Sequence, residues 1–329
     1  MTSTKASTDT VQVVVADIGG TNARFALATL SAAPSGSATA RVELAHSRQF
    51  PCADADGVAT LLAGYCRALP GPSPAFACIA SAGPGDGSRR HLTNLGWTVD
   101  AAELAAVAGL AQVLLVNDFE ALARAAVECS TLPVASGQAL ADAPRCVIGP
   151  GTGLGVAVVI PGEGGPRCIA TEAAHMRFAA GDADEWSLVQ ALSQDHDPVY
   201  NELLLSGPGL ERLHGLLHPD ARGRDAASIS DAALAGAVDA LETVHRFLGM
   251  LGSVAGDIVL AQGARGGVIL GGGILPRWAS LLADSPLVPR FRAKGAMSGY
   301  LADVPIALIN ETRVAEKGAA LLFAERALS

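Results

Sequence analysis

One short pattern occurs twice in the chain and limits what the chain can fold into. In residues 13–21 an apolar strand pattern ends in Asp17-Ile18-Gly19-Gly20-Thr21, and a second strand pattern follows. In residues 146–159 the intervening residues are Gly149-Pro150-Gly151-Thr152-Gly153. Each copy predicts a hairpin with a polar Gly/Thr tip, so we expect a duplicated fold whose two tips line one cleft. Because glycine turns are common, two unrelated hairpins are the alternative.

Strand and helix patterns alternate around both copies. Apolar residues at helical spacing predict helices over 58–69, 101–108, 119–127, 275–283 and 314–327, with a helix-rich stretch over 185–261. Short apolar or β-branched runs predict further strands over 22–30, 41–49, 75–80, 113–116, 156–160, 168–171, 268–270 and 305–308. Alternation of this kind indicates an α/β fold with mixed sheets.

Length and charge restrict the class of protein. The 329 residues suit two domains better than one. The 32 acidic residues outnumber the 23 basic ones, which argues against nucleic acid or an anionic membrane surface as a partner. Residues 1–10 are polar, so we expect them to be disordered rather than a signal peptide. The apolar stretch 249–275 contains Asp257, Gln262 and Arg265, so we expect no membrane span and a cytoplasmic protein.

Cysteine and histidine spacing favours a protein without a transition metal. The cysteines at positions 52, 66, 78, 129, 146 and 168 contain no CxxC pair, which predicts free thiols in a reducing compartment and no zinc. A Glu-x-x-His spacing occurs at Glu172/His175, Glu211/His214 and Glu242/His245, and paired motifs of this type build di-iron centres in helix bundles. The α/β pattern argues against that alternative, and we expect the last two pairs to lie on solvated helix faces.

The glycine-rich tips are suited to binding phosphate. Glycines allow close approach of the backbone, and successive N–H groups form an anion site at residues 17–22, where Asp17 could hold Mg²⁺ directly or through water. The tip at residues 149–153 repeats this arrangement without a carboxylate. A third glycine cluster, at residues 266–267 and 271–273, could seat an adenine ring and ribose. Walker A and GxGxxG motifs are absent from the sequence.

Asn117 and Asp118 lie where a predicted strand meets a predicted helix. Asn117 with Glu120 resembles a capping box, and Asp118 suits a first helical turn, where the helix dipole is expected to lower its pKa. The carboxyl ends of strands are also where α/β proteins bind ligands. Asp118 could therefore act as general base for a substrate hydroxyl, with Asn117 holding another hydroxyl. The structural and functional interpretations are compatible.

Three further polar residues have the chemistry of a sugar site. Glu172 and His175 follow a predicted strand, and Glu202 precedes the sequence Leu-Leu-Leu-Ser-Gly-Pro-Gly. Carboxylates accept hydrogen bonds from vicinal sugar hydroxyls, and a buried site of this type rejects analogues that lack those hydroxyls by about 10⁴ or more.

Several motifs, in order, resemble the bacterial glucokinase family of the hexokinase/actin-like superfamily. They are DIGGTNAR at 17–24, NDF at 117–119, GPGTGLG at 149–155, LSGPG at 205–209 and GGGILPR at 271–277. The similarity runs from Val13 to about Leu322. It implies ATP-dependent phosphorylation of the glucose 6-hydroxyl, giving glucose 6-phosphate and ADP, with Mg²⁺.

The resemblance also implies roles for individual residues. Asp118 matches the catalytic base, and a segment with Thr93, Asn94 and Trp97 lines the sugar side. The matched sugar ligands are Asn117, Glu172, His175, Glu202 and Asn94. The matched nucleotide-binding residues are Asp17, Gly19, Gly20, Thr21, Asn22, Gly151, Thr152 and Gly272, with Asp17 as the Mg²⁺ residue. The family's sugar loop usually reads Glu-Gly-Gly-His, whereas Ala173 and Ala174 stand here, and alanine strains the loop if either position has positive φ.

The resemblance implies a two-domain actin-like ATPase (ribonuclease H-like) fold with duplicated mixed-sheet domains and an interdomain cleft. The small domain comprises residues 1–116 and 312–329, the large domain residues 117–311, and closure would expel water from the reaction. Family members are commonly homodimers. The related repressor/kinase family carries a cysteine-rich zinc motif that is absent here.

Several alternatives stay open. The same chemistry on fructose or mannose is the nearest, and the sequence does not separate ATP from polyphosphate as donor. A sugar or nucleotide sensor without catalysis is a different class, which the presence of Asp118 disfavours. An actin-like ATPase without a sugar substrate is disfavoured because Asn117, Glu172, His175 and Glu202 occur together.

Overall fold

The computed structural model describes residues 10–31, 40–83, 85, 87–92, 95–163 and 165–328. The chain divides into two compact units. Unit 1 comprises residues 1–128, 162–168 and 312–329, and unit 2 comprises residues 129–161 and 169–311. The sequence placed the first boundary after residue 116; in the structure the following helix belongs to unit 1. Of residues 1–10, which we expected to be disordered, residues 1–9 lie outside the described residues, and Thr10 directly precedes β1.

The helices and strands follow the predicted alternation. The strands are β1 (Val11–Ile18), β2 (Asn22–Ser31), β3 (Arg41–Pro51), β4 (Phe76–Ser81), β5 (Arg89–Leu92), β6 (Trp97–Asp100), β7 (Gln112–Asn117), β8 (Thr131–Ala135), β9 (Arg145–Pro150), β10 (Leu154–Ile160), β11 (Arg167–Thr171), β12 (Val268–Leu270) and β13 (Ile306–Ile309). The α-helices are α1 (Val58–Arg67), α2 (Ala101–Ala108), α3 (Asp118–Ala126), α4 (Ala183–Leu192), α5 (Asn201–Leu204), α6 (Gly207–Leu217), α7 (Ala226–Leu234), α8 (Val238–Gln262), α9 (Leu287–Arg292), α10 (Ser298–Leu301) and α11 (Val314–Ala327).

Unit 1 is built on a five-stranded mixed sheet in the order β3-β2-β1-β4-β7. The hairpin β1/β2 is antiparallel, whereas β1, β4 and β7 run parallel to one another. One face of the sheet packs against α1 and α2, and the other against α3 and α11. Alternate residues of the buried strands point to opposite faces, which explains why continuous apolar runs such as Val13–Ala16 supply both cores.

Unit 2 repeats this arrangement. Its sheet has the order β11-β10-β9-β12-β13-β8, in which β9/β10 is an antiparallel hairpin and β9, β12 and β13 are parallel. The order of the first five strands matches that of unit 1 strand for strand. The expected duplication of a mixed α/β sheet is therefore confirmed, and the alternative of two unrelated hairpins is excluded.

The longest helix, α8, lies in the core of unit 2. Its 25 residues are long and apolar enough to cross a membrane by length and composition alone. Most of its apolar side chains, including Phe247, Leu251 and Val259, are buried inside the unit. Such burial is typical of the core helix of a soluble protein.

Three details differ from the sequence prediction. The helix expected over 275–283 is a short 3₁₀ turn at Leu275–Trp278, because Trp278 is fully buried edge-on against Phe247 and fixes the segment locally. The hairpin β5/β6 was missed because Arg89–Leu92 is short and polar. Strand β8 was missed because its first three residues, starting at Thr131, are exposed and lack an apolar pattern.

Candidate active site

Unit 1 gathers its predicted catalytic residues at one edge of its sheet. Ile18, Ser81 and Asn117 occupy the same register position on the parallel strands β1, β4 and β7. Asp17 and Asp118 lie immediately next to the first and last of these positions. The edge at the carboxyl ends of parallel strands thus holds two carboxyl groups, as expected for a ligand site in an α/β unit.

The first glycine turn connects β1 to β2 and presents free backbone donors. It is closed by a hydrogen bond from the Gly19 N–H to the Asn22 carbonyl at 3.0 Å. The N–H groups of Gly20 and Thr21 donate to no other group among the described residues. The Asn22 side chain is held by Gln49, whose Nε2 donates to its Oδ1 at 2.9 Å. This turn can therefore bind an anion through its backbone.

Asp17 faces an arginine across the hairpin. Arg24 is its register partner on β2, and the Arg24 Nη1 lies 3.5 Å from the Asp17 Oδ2. The Arg24 Nε donates to the Gln49 Oε1 at 3.2 Å, which fixes the guanidinium. Burial raises the pKa of Asp17, and Arg24 only partly opposes this rise. Asp17 is therefore a carboxyl group whose charge is costly in the absence of a ligand.

Asp118 begins α3 and has a pKa raised to about 6. Burial is the largest cause, and the nearby carboxylate of Asp17 adds to it. The Phe119 N–H, which donates to the Asp118 Oδ1 at 2.9 Å, and the positive charge of Arg90 act in the opposite direction. The expectation that the helix N-terminus would lower this pKa was wrong, because desolvation and a like charge outweigh the helix donors.

Asn117 caps α3, as the sequence predicted. Its Oδ1 accepts hydrogen bonds from the N–H groups of Phe119 and Glu120, at 2.8 and 3.0 Å. The other half of the predicted capping box does not form, because Glu120 pairs with Arg326 on α11. The cap uses the carbonyl end of the Asn117 side chain, which leaves the amide nitrogen as its donor toward a ligand.

In unit 2 the second glycine turn is tied to a predicted sugar residue. The Gly151 N–H donates to the Gly153 carbonyl at 2.7 Å, and Thr152 is exposed at the tip. Glu202, on α5, accepts a hydrogen bond from the Leu154 N–H through its Oε2 at 2.8 Å. One oxygen of Glu202 is thus committed to the turn, and the other remains for a ligand.

The third glycine cluster packs directly on the second turn. Gly272 has φ of +80°, and a Cβ there would lie 2.4 Å from the Pro150 carbonyl oxygen. The Gly271 N–H donates to the Ile148 carbonyl at 2.9 Å. Only glycine fits at position 272, because any side chain there would clash with Pro150. The third glycine cluster and the second glycine turn, the two nucleotide segments predicted in unit 2, are therefore in direct contact.

The predicted sugar loop is a 3₁₀ turn on the surface of unit 2. The His175 Nε2 lies 3.9 Å from the Glu172 Oε2, and both side chains are more than half exposed. The Asn201 Nδ2 donates to the Ala173 carbonyl at 3.1 Å, which ties this turn to α5 and hence to Glu202. Neither Ala173 nor Ala174 has positive φ, so the strain considered for this alanine pair does not arise.

Two predictions about single residues have other outcomes. Asn94, a predicted sugar ligand, lies outside the described residues. His214 was expected on a solvated face but is buried, and its Nδ1 lies 2.8 Å from the Thr243 Oγ1. The described residues contain no group of three or more His, Cys, Asp or Glu side chains placed to hold a metal ion.

Sequence reasoning gave no role to three charged residues near the unit 1 carboxyl groups. Arg24 belongs to the DIGGTNAR motif, and its hairpin position opposite Asp17 is the signal in the sequence that could identify the pair. Arg90, whose Nη1 donates to the Gly83 carbonyl at 2.9 Å, lies on the missed strand β5. Glu316, in the first turn of α11, is buried, and burial together with Asp17 raises its pKa. No local pattern identifies Glu316, because its position depends on how α11 packs on the sheet.

Comparison with known proteins gives matches along almost the whole chain. Residues 14–326 match the family model described as Glucokinase. The chain is 36% identical over 323 residues to a glucokinase of Cupriavidus metallidurans, covering 95% of this chain and 93% of that protein. It is 38% identical over 320 residues to a glucokinase of Chromobacterium violaceum, covering 95% and 89%. The crystal structure of a glucokinase from an Antarctic psychrotroph is similar at 35% identity with a TM-score of 0.79, covering 95% and 99%. These matches run through both units.

Proposed function

Because the chain belongs to the glucokinase family, we propose that it phosphorylates the 6-hydroxyl of glucose with ATP, giving glucose 6-phosphate and ADP. The observation that carries the proposal is Asp118, a partly buried carboxyl group at the carboxyl end of β7 whose pKa is raised to about 6. Such a group is deprotonated at neutral pH, yet it is a stronger base than an ordinary aspartate. It suits proton transfer from a sugar hydroxyl during phosphoryl transfer.

The remaining sugar contacts are assigned by residue type and environment. Asn117 offers its amide nitrogen to a hydroxyl beside the reacting one. Glu172 and His175 lie on one turn of unit 2, and the free oxygen of Glu202 lies on the segment bonded to that turn. Asn94 is assigned by the family resemblance alone. Because Ala173 and Ala174 are unstrained, the alanine pair is compatible with a sugar role for this loop.

The nucleotide contacts are assigned to the glycine turns. In unit 1 the backbone donors of Gly20 and Thr21, with Gly19 and Asn22 closing the turn, suit a phosphate. In unit 2 Gly151, Thr152 and Gly272 take the second phosphate and nucleoside roles. Gly272 packs against the backbone of Pro150, which places the third glycine cluster beside the second turn and supports a shared nucleotide role for the two segments.

The acidic residues of unit 1 fit a magnesium ion. Asp17 has carboxylate oxygens, the donor type that Mg²⁺ prefers, and its charge raises the pKa of both Asp118 and Glu316. We propose that Asp17 holds Mg²⁺, directly or through water. When bound with the nucleotide, the ion would neutralise charge on the phosphate oxygens.

Compartment and assembly complete the proposal. The six cysteines are all free thiols, and five of them are buried, which supports a reducing compartment. We therefore propose a cytoplasmic enzyme that supplies glucose 6-phosphate to glycolysis. A homodimer is proposed from the family resemblance, and sedimentation equilibrium tests it.

A coupled assay of ADP formation tests the reaction. The purified chain is incubated with ATP and Mg²⁺ in the presence of glucose, fructose, mannose or no sugar, and with polyphosphate in place of ATP. We expect turnover with ATP and glucose. Turnover only with fructose or mannose would identify that hexose as the substrate in place of glucose. Turnover independent of sugar would indicate an ATPase. Glucose and ADP binding without turnover would indicate a sensor and would contradict the proposed enzyme.

A further inference from the structure

Cys52 lies behind the first glycine turn and bonds to both of its sides. It follows β3 and is almost completely buried. Its Sγ lies 3.5 Å from the Gly19 carbonyl oxygen, to which the thiol donates. Its backbone N–H donates to the Thr21 carbonyl oxygen at 2.9 Å. A single residue outside the turn therefore holds two of the turn's carbonyl groups.

The bond from Cys52 to the Gly19 carbonyl also determines the direction in which the Gly20 N–H points. The carbonyl of Gly19 and the N–H of Gly20 belong to the same planar, trans peptide unit, so they point in opposite directions. When Cys52 holds the Gly19 carbonyl against the body of unit 1, the Gly20 N–H must point away from it. This N–H has no other partner among the described residues.

We propose that Cys52 is a positioning residue for nucleotide phosphate: its thiol orients the Gly20 N–H toward the phosphate through the Gly19 carbonyl. The inference rests on the proposed function, because it assigns a phosphate to this turn. The backbone bond to Thr21 is available to any residue except proline at position 52, whereas the bond to Gly19 requires a side chain with a donor. The side chain of Cys52 is therefore the part that can be tested by substitution.

Substitution at position 52 should change nucleotide affinity specifically. Cys52→Ala removes the thiol donor but keeps the backbone bond to Thr21. One hydrogen bond of ordinary net strength corresponds to an increase of about two- to tenfold in KM for ATP and in Kd for Mg-ADP. We expect kcat and KM for glucose to stay within about twofold of wild type. Cys52→Ser restores a donor and should return both nucleotide constants toward wild type.

Cys66→Ala is the matched control. Cys66 is also a buried free thiol of unit 1, on α1, and within the described part of the chain its side chain makes no hydrogen bond to the first glycine turn. This variant should leave KM for ATP unchanged. If Cys52→Ala also leaves it unchanged, or changes kcat and KM for glucose in parallel, the proposal is wrong and Cys52 only fills space.

A measurement on the wild-type chain covers the case in which Cys52→Ala does not fold. The rate of alkylation of each cysteine by a small maleimide is followed by peptide mass spectrometry. Mg-ADP at ten times its Kd should slow modification of Cys52 by up to about tenfold and leave Cys66 unaffected. Equal rates with and without Mg-ADP would overturn the proposal. A chain that binds Mg-ADP but phosphorylates no sugar leaves this test valid while refuting the kinase, and a chain that binds no Mg-ADP refutes both.

Discussion

The two units share a strand order but use the same hairpin position for different chemistry. In the hairpin of unit 1, the second residue pair from the turn is Asp17 and Arg24. In unit 2 the equivalent position holds Gly149 opposite Gly155. The first hairpin therefore places a charged pair beside its turn, and the second places bare backbone there.

The backbone at Gly149 is needed for packing. A Cβ at Gly149 would lie 2.5 Å from the Gly271 carbonyl carbon, so the third glycine cluster occupies the space that a side chain would take. In unit 1 the equivalent position holds Asp17, whose charge raises the pKa of both Asp118 and Glu316. A duplicated scaffold thus provides an acidic edge in one copy and a close backbone approach in the other.

The largest expected effect tests the acidic edge. Asp118→Asn keeps the size of the side chain but removes the base, so kcat should fall by about 10²–10⁴, the usual contribution of positioned acid–base catalysis. Mg-ADP binding, measured by calorimetry, should change little. A variant with near-normal kcat would show that Asp118 has only a structural role at the start of α3. The acidic edge of unit 1 would then have no catalytic function.

Close backbone approach also occurs in unit 1, but between helices rather than at the turn. A Cβ at Gly318 on α11 would lie 1.7 Å from the Ala121 carbonyl oxygen on α3. Gly318→Ala should therefore lower the free energy of unfolding by about 2–3 kcal/mol, as overpacking does. Gly64→Ala on α1, where the nearest atom is 4.0 Å away, should be neutral or stabilising by about 0.5–1 kcal/mol. Equal effects on denaturant unfolding would contradict the packing described.

These contrasts also show what the sequence could predict. The hairpins, the parallel strands and the cap at Asn117 follow from local patterns, and the structure confirms them. The duplication was visible because both tips keep Gly and Thr after an apolar strand. Asn117 and Asp118 lie, as the sequence predicted, where β7 meets α3.

Properties that depend on packing could not be predicted. The pKa of Asp118 was expected to be low from its helix position, but burial beside Asp17 reverses the sign. Glu316 comes from the far end of the chain and reaches the same environment only because α11 packs on β1. The need for glycine at position 272 arises from its contact with the Pro150 carbonyl, and these two residues are distant in sequence.

A pair of substitutions compares the equivalent hairpin positions directly. Gly149→Ala should lower the free energy of unfolding by about 1–3 kcal/mol, because the added methyl meets backbone. Asp17→Ala should lower it by less than about 0.5 kcal/mol, or raise it, because burial makes the Asp17 charge unfavourable in the folded state. Gly299→Ala on α10, which has open space around it, is the control for a simple glycine effect. A stable Gly149→Ala variant would show that the second hairpin does not need bare backbone.

The smallest effect expected here is the pH dependence of the acidic edge. A general base works when deprotonated, so kcat/KM for glucose should fall as the pH drops through about 6, the pKa of Asp118. This corresponds to a decrease of about tenfold between pH 7 and pH 5. Circular dichroism at pH 5 checks that the loss is not caused by unfolding.

Asp17→Asn then separates the two causes of that raised pKa. The carboxylate of Asp17 raises the pKa of Asp118. In the Asp17→Asn variant, the fall of the remaining kcat/KM at acidic pH should therefore occur at a lower pH than in wild type. The apparent pKa of the activity should stay above the range of an exposed aspartate, because burial is the larger cause and persists in the variant. If the apparent pKa of the activity does not change, the charge of Asp17 does not influence Asp118. If it falls to the pKa of an exposed aspartate, like charge rather than burial is the main cause of the raised pKa of Asp118.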